Sequence, residues 1–168
     1  KKIKKNKILY LYLDKSYQRV LDERNSNTLA LISLLEHLEE PHKMLKFFIK
    51  TKMKYLYICV PLFSLSALIE NSFKDIYPRQ LSGDHTHLYT KESLYYLAKK
   101  YKLKIIGEWW FGTDFPDLYR SLINSSNSNL KKYLPTMNKY LFSQIDELQS
   151  VLDKNKIGSQ VHMIFKKK

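Results

Sequence analysis

An α/β fold, built on an open and mostly parallel sheet with an antiparallel last strand, is what the sequence predicts. Three observations carry it. Residues 28–34, TLALISL, are nearly all apolar and too short for an independent helix, which suits a strand covered on both faces. Residues 55–60, YLYICV, form a second such run, stopped by Pro61. Between them a segment opens at Pro41, where a helix accepts a residue without an amide hydrogen, and presents Met44, Leu45, Phe47, Phe48 and Ile49 as an apolar face. Strand, helix and strand, with both strands apolar, is the pattern of a parallel crossover. In such sheets ligands collect beyond the carboxyl ends of the strands. Here those ends are the polar loop 35–40 and the chain after Pro61.

Residues 1–27 read as a basic arm with a candidate N-terminal strand, ILYLYL, at 8–13. Asp14 follows it; an acid at a strand end can accept ribose hydroxyls, or simply cap a helix. Residues 28–168 read as one α/β domain. After Pro61, Ser64 or Ser66 caps a helix that turns Leu68, Ile69 and Phe73 inward. A loop over 74–83 leads to the polar run DHTHLYT. Thr90 then caps a helix with Glu92 in its first turn and lysines near its end, both favourable to the helix dipole. Its stripe is Leu94, Leu97, Ala98 and Tyr101. LKIIGEWWF, 103–111, is a strand interrupted by Gly107 and ended by Gly112. Asp114 caps, and Pro116 opens, a helix through Leu122 and Ile123. NSSNSN at 124–129 is a surface loop. Pro135 opens the longest helix, with Met137, Tyr140, Leu141, Ile145, Leu148 and Leu152 on one face. Gly158 leads to a last strand, QVHMIF, expected antiparallel to its predecessor at the sheet edge.

The 168 residues suit one domain with a real core. No apolar run reaches the length of a membrane span. The lone cysteine, Cys59, falls inside a predicted buried strand and reads as a structural thiol. Without an intrachain disulfide, and without the apolar run and cleavage site of a signal peptide, the expected location is cytoplasmic. The chain begins with Lys rather than Met, as a fragment or a processed chain does. Its net charge is +13, but eight of the lysines sit in the first seven and last three residues, and there are only four arginines. Bidentate readers of phosphates and bases are therefore sparse, which argues against a nucleic-acid partner.

Three stretches together resemble a known family. ALISLLEHLEEP, 30–41, resembles the fourth strand and the following E-H-L-x-x-P loop of class I S-adenosylmethionine-dependent methyltransferases. YLYICVP, 55–61, resembles their fifth strand with its terminal proline. HTHLYTKESLYYLAKKYKLKIIGEWW, 85–110, resembles their sixth strand and the helix before it. QVHMIFKKK then resembles the seventh strand, the reversed one that inserts beside the fifth. The resemblance covers residues 28–168, the C-terminal half of that domain, and implies a partial Rossmann-like methyltransferase sheet. It implies S-adenosylmethionine as cofactor, lined by Leu34, Leu35 and Glu36. The family's D-x-G-x-G-x-G loop has no counterpart: the four glycines, Gly83, Gly107, Gly112 and Gly158, do not cluster. Weak or absent cofactor binding is therefore expected of this chain alone. A truncated sheet would leave the strand at 28–34 with an open edge, where a second copy can pair.

Methyl transfer is an in-line displacement that needs an aligned nucleophile and often a base. Glu36 and His37 stand at the mouth of the first apolar strand. His37 either serves as that base, its pKa being near working pH, or only hydrogen-bonds the loop. Asp84, His85 and His87 form a second cluster. They read as a base or substrate clamp, as loop-stitching groups, or, with His37 or His42, as metal ligands; no metal is assigned. The candidate catalytic residues are thus His37, His85 and His87. Tyr89, Trp109 and Asp114 are the candidate substrate contacts, since an outward aromatic beside a carboxylate can stack on a sugar, or else pack under the next helix. His162 and His42 read as structural. The function expected from the resemblance is methyl transfer to a small hydroxylated metabolite such as a saccharide. The alternatives are a non-catalytic module binding a protein or nucleic-acid partner, and lysine-tail attachment to an acidic membrane.

Overall fold

In the computed structural model, which describes residues 26–73, 79–81, 84–125 and 132–168, the two apolar runs lie side by side. β1 (Thr28–Ile32) pairs in parallel with β2 (Tyr55–Pro61), Leu29 opposite Leu56 and Leu31 opposite Ile58. α1 (Pro41–Lys50) joins them and starts on the expected proline. The candidate strand at 8–13 and Asp14 lie outside the described residues.

β3 (Leu103–Phe111) and β4 (Gln160–Lys167) complete a sheet of order β1-β2-β4-β3. β4 is antiparallel to both neighbours, so β1, β2 and β3 share one direction and end on one rim. The last strand is reversed and inserts beside β2, as the resemblance implied, and its pairing with β3 forms one edge of the sheet. β4 itself lies inside the sheet, and β3 takes the margin. Gly107 does not interrupt β3; it marks a register shift between Ile105 and Gly107, the mark of an extra residue accommodated in the ladder.

One face of the sheet carries the core. Leu31, Leu56, Ile58, Val60, Val161 and Met163 pack with Met44, Leu45 and Phe48 of α1 and with Leu94 and Ala98 of α3 (Lys91–Lys100). The other face corrects the expectation of a strand covered on both sides. With a period of two, Leu29 and Leu31 point in, while Thr28, Ala30 and Ile32 stay exposed among the described residues. Trp109 of β3, at 62% exposed, behaves likewise.

Caps read from sequence hold for two helices. Ser64 caps α2 (Leu65–Ser72), accepting from the Ser66 amide, and Thr90 caps α3 in a reciprocal capping box with Ser93. In α4 (Asp114–Asn124) the cap position falls on Thr113, and Asp114 occupies the first turn with its carboxylate directed elsewhere. The long helix expected after Pro135 is two: α5 (Leu134–Tyr140) and α6 (Ile145–Lys154), separated by a tight turn at Phe142–Gln144. There the Ser143 hydroxyl donates to the Lys139 carbonyl, competing with the backbone ladder. No described helix is long and apolar enough to cross a membrane.

Candidate functional site

β1 ends at Ile32, and the next residue, Ser33, has a φ of 47°, in the left-handed region that side-chain-bearing residues avoid. Its amide donates to the Cys59 carbonyl at 3.0 Å, which anchors the turn to β2. The chain then crosses the rim as a tight turn, Leu35–His37. Leu35 enters the core. Glu36 follows it inward and is only 1% exposed, with its Oε2 lacking any hydrogen-bond partner. Burial pushes this carboxyl above the usual range, while backbone hydrogen bonding and the nearby imidazoles of His37 and His85 oppose the rise.

The segment after residue 83 is tied to this turn through backbone. The Glu36 carbonyl accepts from the amides of Thr86 and His87, at 2.9 and 3.1 Å, and from the Thr86 hydroxyl. His37 Nδ1 donates to the Asp84 carbonyl at 2.8 Å, and His85 Nδ1 donates to the Gln80 carbonyl at 2.9 Å. A carbonyl only accepts, so these bonds place the proton of each neutral ring on Nδ1 and leave Nε2 with its lone pair. The two ring centroids are 4.7 Å apart. Donor atoms of Glu36, His37 and His85 all lie within 4.8 Å of one another. Gln80 is itself held: its amide and that of Leu81 donate to the buried carboxylate of Glu70 on α2.

The other residues singled out in the sequence are distributed around this point. Leu34 is half-buried against the core. His87 lies near-parallel to Tyr89, with ring centroids 6.2 Å apart, and its Nδ1 pairs with the Thr86 hydroxyl. Tyr89 is buried and donates to the Leu35 carbonyl at 3.3 Å; burial and then the Glu36 charge push its phenol well above the ordinary range. Both line a cleft of about 480 Å³ with His42 and Lys46 of α1 and Tyr96 of α3. Trp109 stacks on Phe111 and neighbours His162. Asp114, fully buried, accepts from Ser64, from the amide and hydroxyl of Ser66, and from Gln149. The structure thus gathers Glu36, His37 and His85, sets His87 and Tyr89 on the adjoining segment, and gives Trp109 and Asp114 other partners. The converging trio is not the sequence-adjacent set Asp84, His85 and His87. The carbonyls of Gln80 and Asp84, which orient the rings, were not legible: backbone acceptors leave no mark in residue type.

A glycine-rich cradle for a cofactor is not found among the described residues. A Cβ at Gly112 would meet the Ser159 amide at 2.5 Å, and one at Gly158 would meet the Phe111 carbonyl at 2.9 Å. The space these glycines leave is filled by the protein's own backbone. At Gly107 only the Ile164 side chain is near. Gly107, Gly112 and Gly158 therefore supply no cradle for S-adenosylmethionine.

No protein-family model matches the chain, and no curated protein does. Among solved structures it is similar to a SAM-dependent methyltransferase from Archaeoglobus fulgidus, with 17% identity and a TM-score of 0.47, covering 90% of this chain and 64% of that one. It is similar to the small RNA methyltransferase HEN1, with 12% identity and a TM-score of 0.45, covering 86% of this chain and 14% of that one. It is also similar to the cyclase SpnF, with 12% identity and a TM-score of 0.42, covering 84% of this chain and 50% of that one. The chain spans less than two thirds of each. Likenesses of this strength assign it neither activity nor ligand.

Proposed function

We propose that this chain supplies the acceptor side of an S-adenosylmethionine-dependent methyl transfer to a small hydroxylated metabolite, a saccharide being the expected class. The observation that carries the reading is the convergence of Glu36, His37 and His85 at the rim of an open, mixed parallel and antiparallel sheet, with both Nε2 lone pairs available. An imidazole so oriented can take the proton of an attacking hydroxyl, and a buried carboxylate beside it stabilises the imidazolium that forms. His87 and Tyr89 form part of the wall of the neighbouring cleft, through which an acceptor would approach. Leu34, Leu35 and Glu36 would meet the cofactor by resemblance alone; the remaining contacts require residues beyond those described, and no step is derived through the cofactor.

Calorimetric titration of the chain with S-adenosylmethionine is the first test. Weak or absent binding is expected, and tight binding would refute the need for further residues. In a longer polypeptide that carries this sequence behind a glycine-rich strand and loop, labelled methyl should pass to a polyhydroxylated acceptor. There His37→Ala should cut turnover and spare cofactor affinity; unchanged turnover would remove it as the base.

A second reading, a non-catalytic module for a protein or nucleic-acid partner, is favoured by the exposed side chains of Ile32 and Trp109 on the second sheet face. Partner capture without methyl transfer by the longer polypeptide would select it. Self-association is part of either reading, because β1 is an edge strand among those described. Sedimentation should show a dimer that a proline at Ala30 dissolves.

A further inference from the structure

We propose that Glu36, His37 and His85 form a binding site for a divalent transition-metal ion. Three features of the geometry point there. The donor atoms already lie within 4.8 Å of one another. Ligand bonds of about 2.1 Å ask them to draw in by roughly an ångström, within reach of side-chain rotation. Each imidazole has its Nδ1 committed to a backbone carbonyl, His37 to Asp84 and His85 to Gln80, so each keeps an Nε2 lone pair for another partner. That arrangement is how metal-binding histidines are oriented and made more basic. Finally, Glu36 is 1% exposed and its Oε2 has no hydrogen-bond partner. A buried acceptor left alone is costly, and a cation at this point would satisfy it.

Two nitrogens and one carboxylate oxygen select the ion. Magnesium, calcium and manganese prefer oxygen-rich sites, whereas imidazole suits zinc, copper, iron and nickel. Three protein ligands leave coordination positions open, as in sites that act on a bound hydroxyl rather than purely structural ones. Such an ion lowers the pKa of a hydroxyl bound to it. The loaded and metal-free forms would then differ in which group handles an acceptor's proton, the ion or an imidazole. His87 is outside the set: among the described residues the converging donors are those of Glu36, His37 and His85, and the His87 ring lies beside Tyr89.

The inference does not rest on the methyl-transfer reading, and its test contains neither cofactor nor acceptor. The full chain, stripped of metal, is dialysed to equilibrium against Zn²⁺ or Ni²⁺ alone. One equivalent should bind. Glu36→Gln and His85→Gln should each weaken it at least about tenfold, with His162→Gln unchanged and circular dichroism confirming that all three fold. Should Glu36→Gln not fold, His85→Gln, whose side chain is only half-buried, carries the comparison. In a parallel titration with Co²⁺, ligand-field absorption should appear in the parent chain and vanish in the variants. No uptake, uptake indifferent to Glu36→Gln and His85→Gln, or uptake lost equally in His162→Gln would overturn the site.

Discussion

Glu36 and Asp114 are both buried carboxylates following strands that end on the same rim, 1% and 0% exposed, and the protein treats them in opposite ways. Asp114 receives four hydrogen bonds from three residues: the Ser64 hydroxyl, the amide and hydroxyl of Ser66, and Gln149 Nε2. Those bonds join α2, α4 and α6 at one point. Glu36 keeps an oxygen without a partner, beside two imidazoles whose orientation is set by backbone. Burial of a charge is tolerable when donors replace the lost water. By that measure Asp114 is a structural joint, and Glu36 is a group held ready for something else. Depth alone would have ranked them together; it is saturation that separates them.

Isosteric amides give the sharpest way to break this contrast. Asp114→Asn sets an amide nitrogen among groups that already donate, and should cost about 3 kcal/mol in urea unfolding. Glu36→Gln removes a poorly solvated charge and should change stability by no more than about 1 kcal/mol. Equal losses from the two substitutions would erase the distinction. Tyr89→Phe comes next. It deletes one buried bond to the Leu35 carbonyl, and a loss of about 1 kcal/mol is expected. A loss several times larger would mean that the turn carrying Glu36 depends on this hydroxyl far more than one hydrogen bond implies.

The smallest effect concerns pH. Burial holds the His162 imidazole below its ordinary pKa of 6.5. The unfolded chain therefore binds its proton more readily, and the stability due to the neutral ring is present above that value and lost as pH falls below it through the lower pKa of the folded ring. His162→Gln should flatten the decline in urea midpoint between ~pH 7.5 and ~pH 5.5. Identical slopes in parent and variant would show that another group controls this window.

Much of the scaffold was legible because local chemistry decided it. Pro41, Ser64 and Thr90 start helices for reasons contained within a turn of themselves, and Trp109 and Trp110 fall on opposite faces because strands alternate. The errors arose where a distant partner intervened. Asp114 looks like a cap until Ser64 and Ser66 draw its carboxylate to α2. The helix after Pro135 breaks where Ser143 bonds backward, which apolar periodicity does not register. At the site, Glu36 and His37 stood out through their place after a strand. That His85 would join them while His87 turned to Thr86 depends on a loop path that spacing does not encode.

Because β4 threads between β2 and β3, the last of the four described strands to be synthesised closes the middle of the sheet. Until it emerges from the ribosome, β3 has no described strand beside it, and β2 has only β1. Assembly must wait on contacts between segments a hundred residues apart, such as Cys59 with His162, and such topologies fold slowly. A stop codon shortly before Gln160 would therefore do more than shorten the product: it would leave two unjoined halves, each with a bare flank open to misassembly.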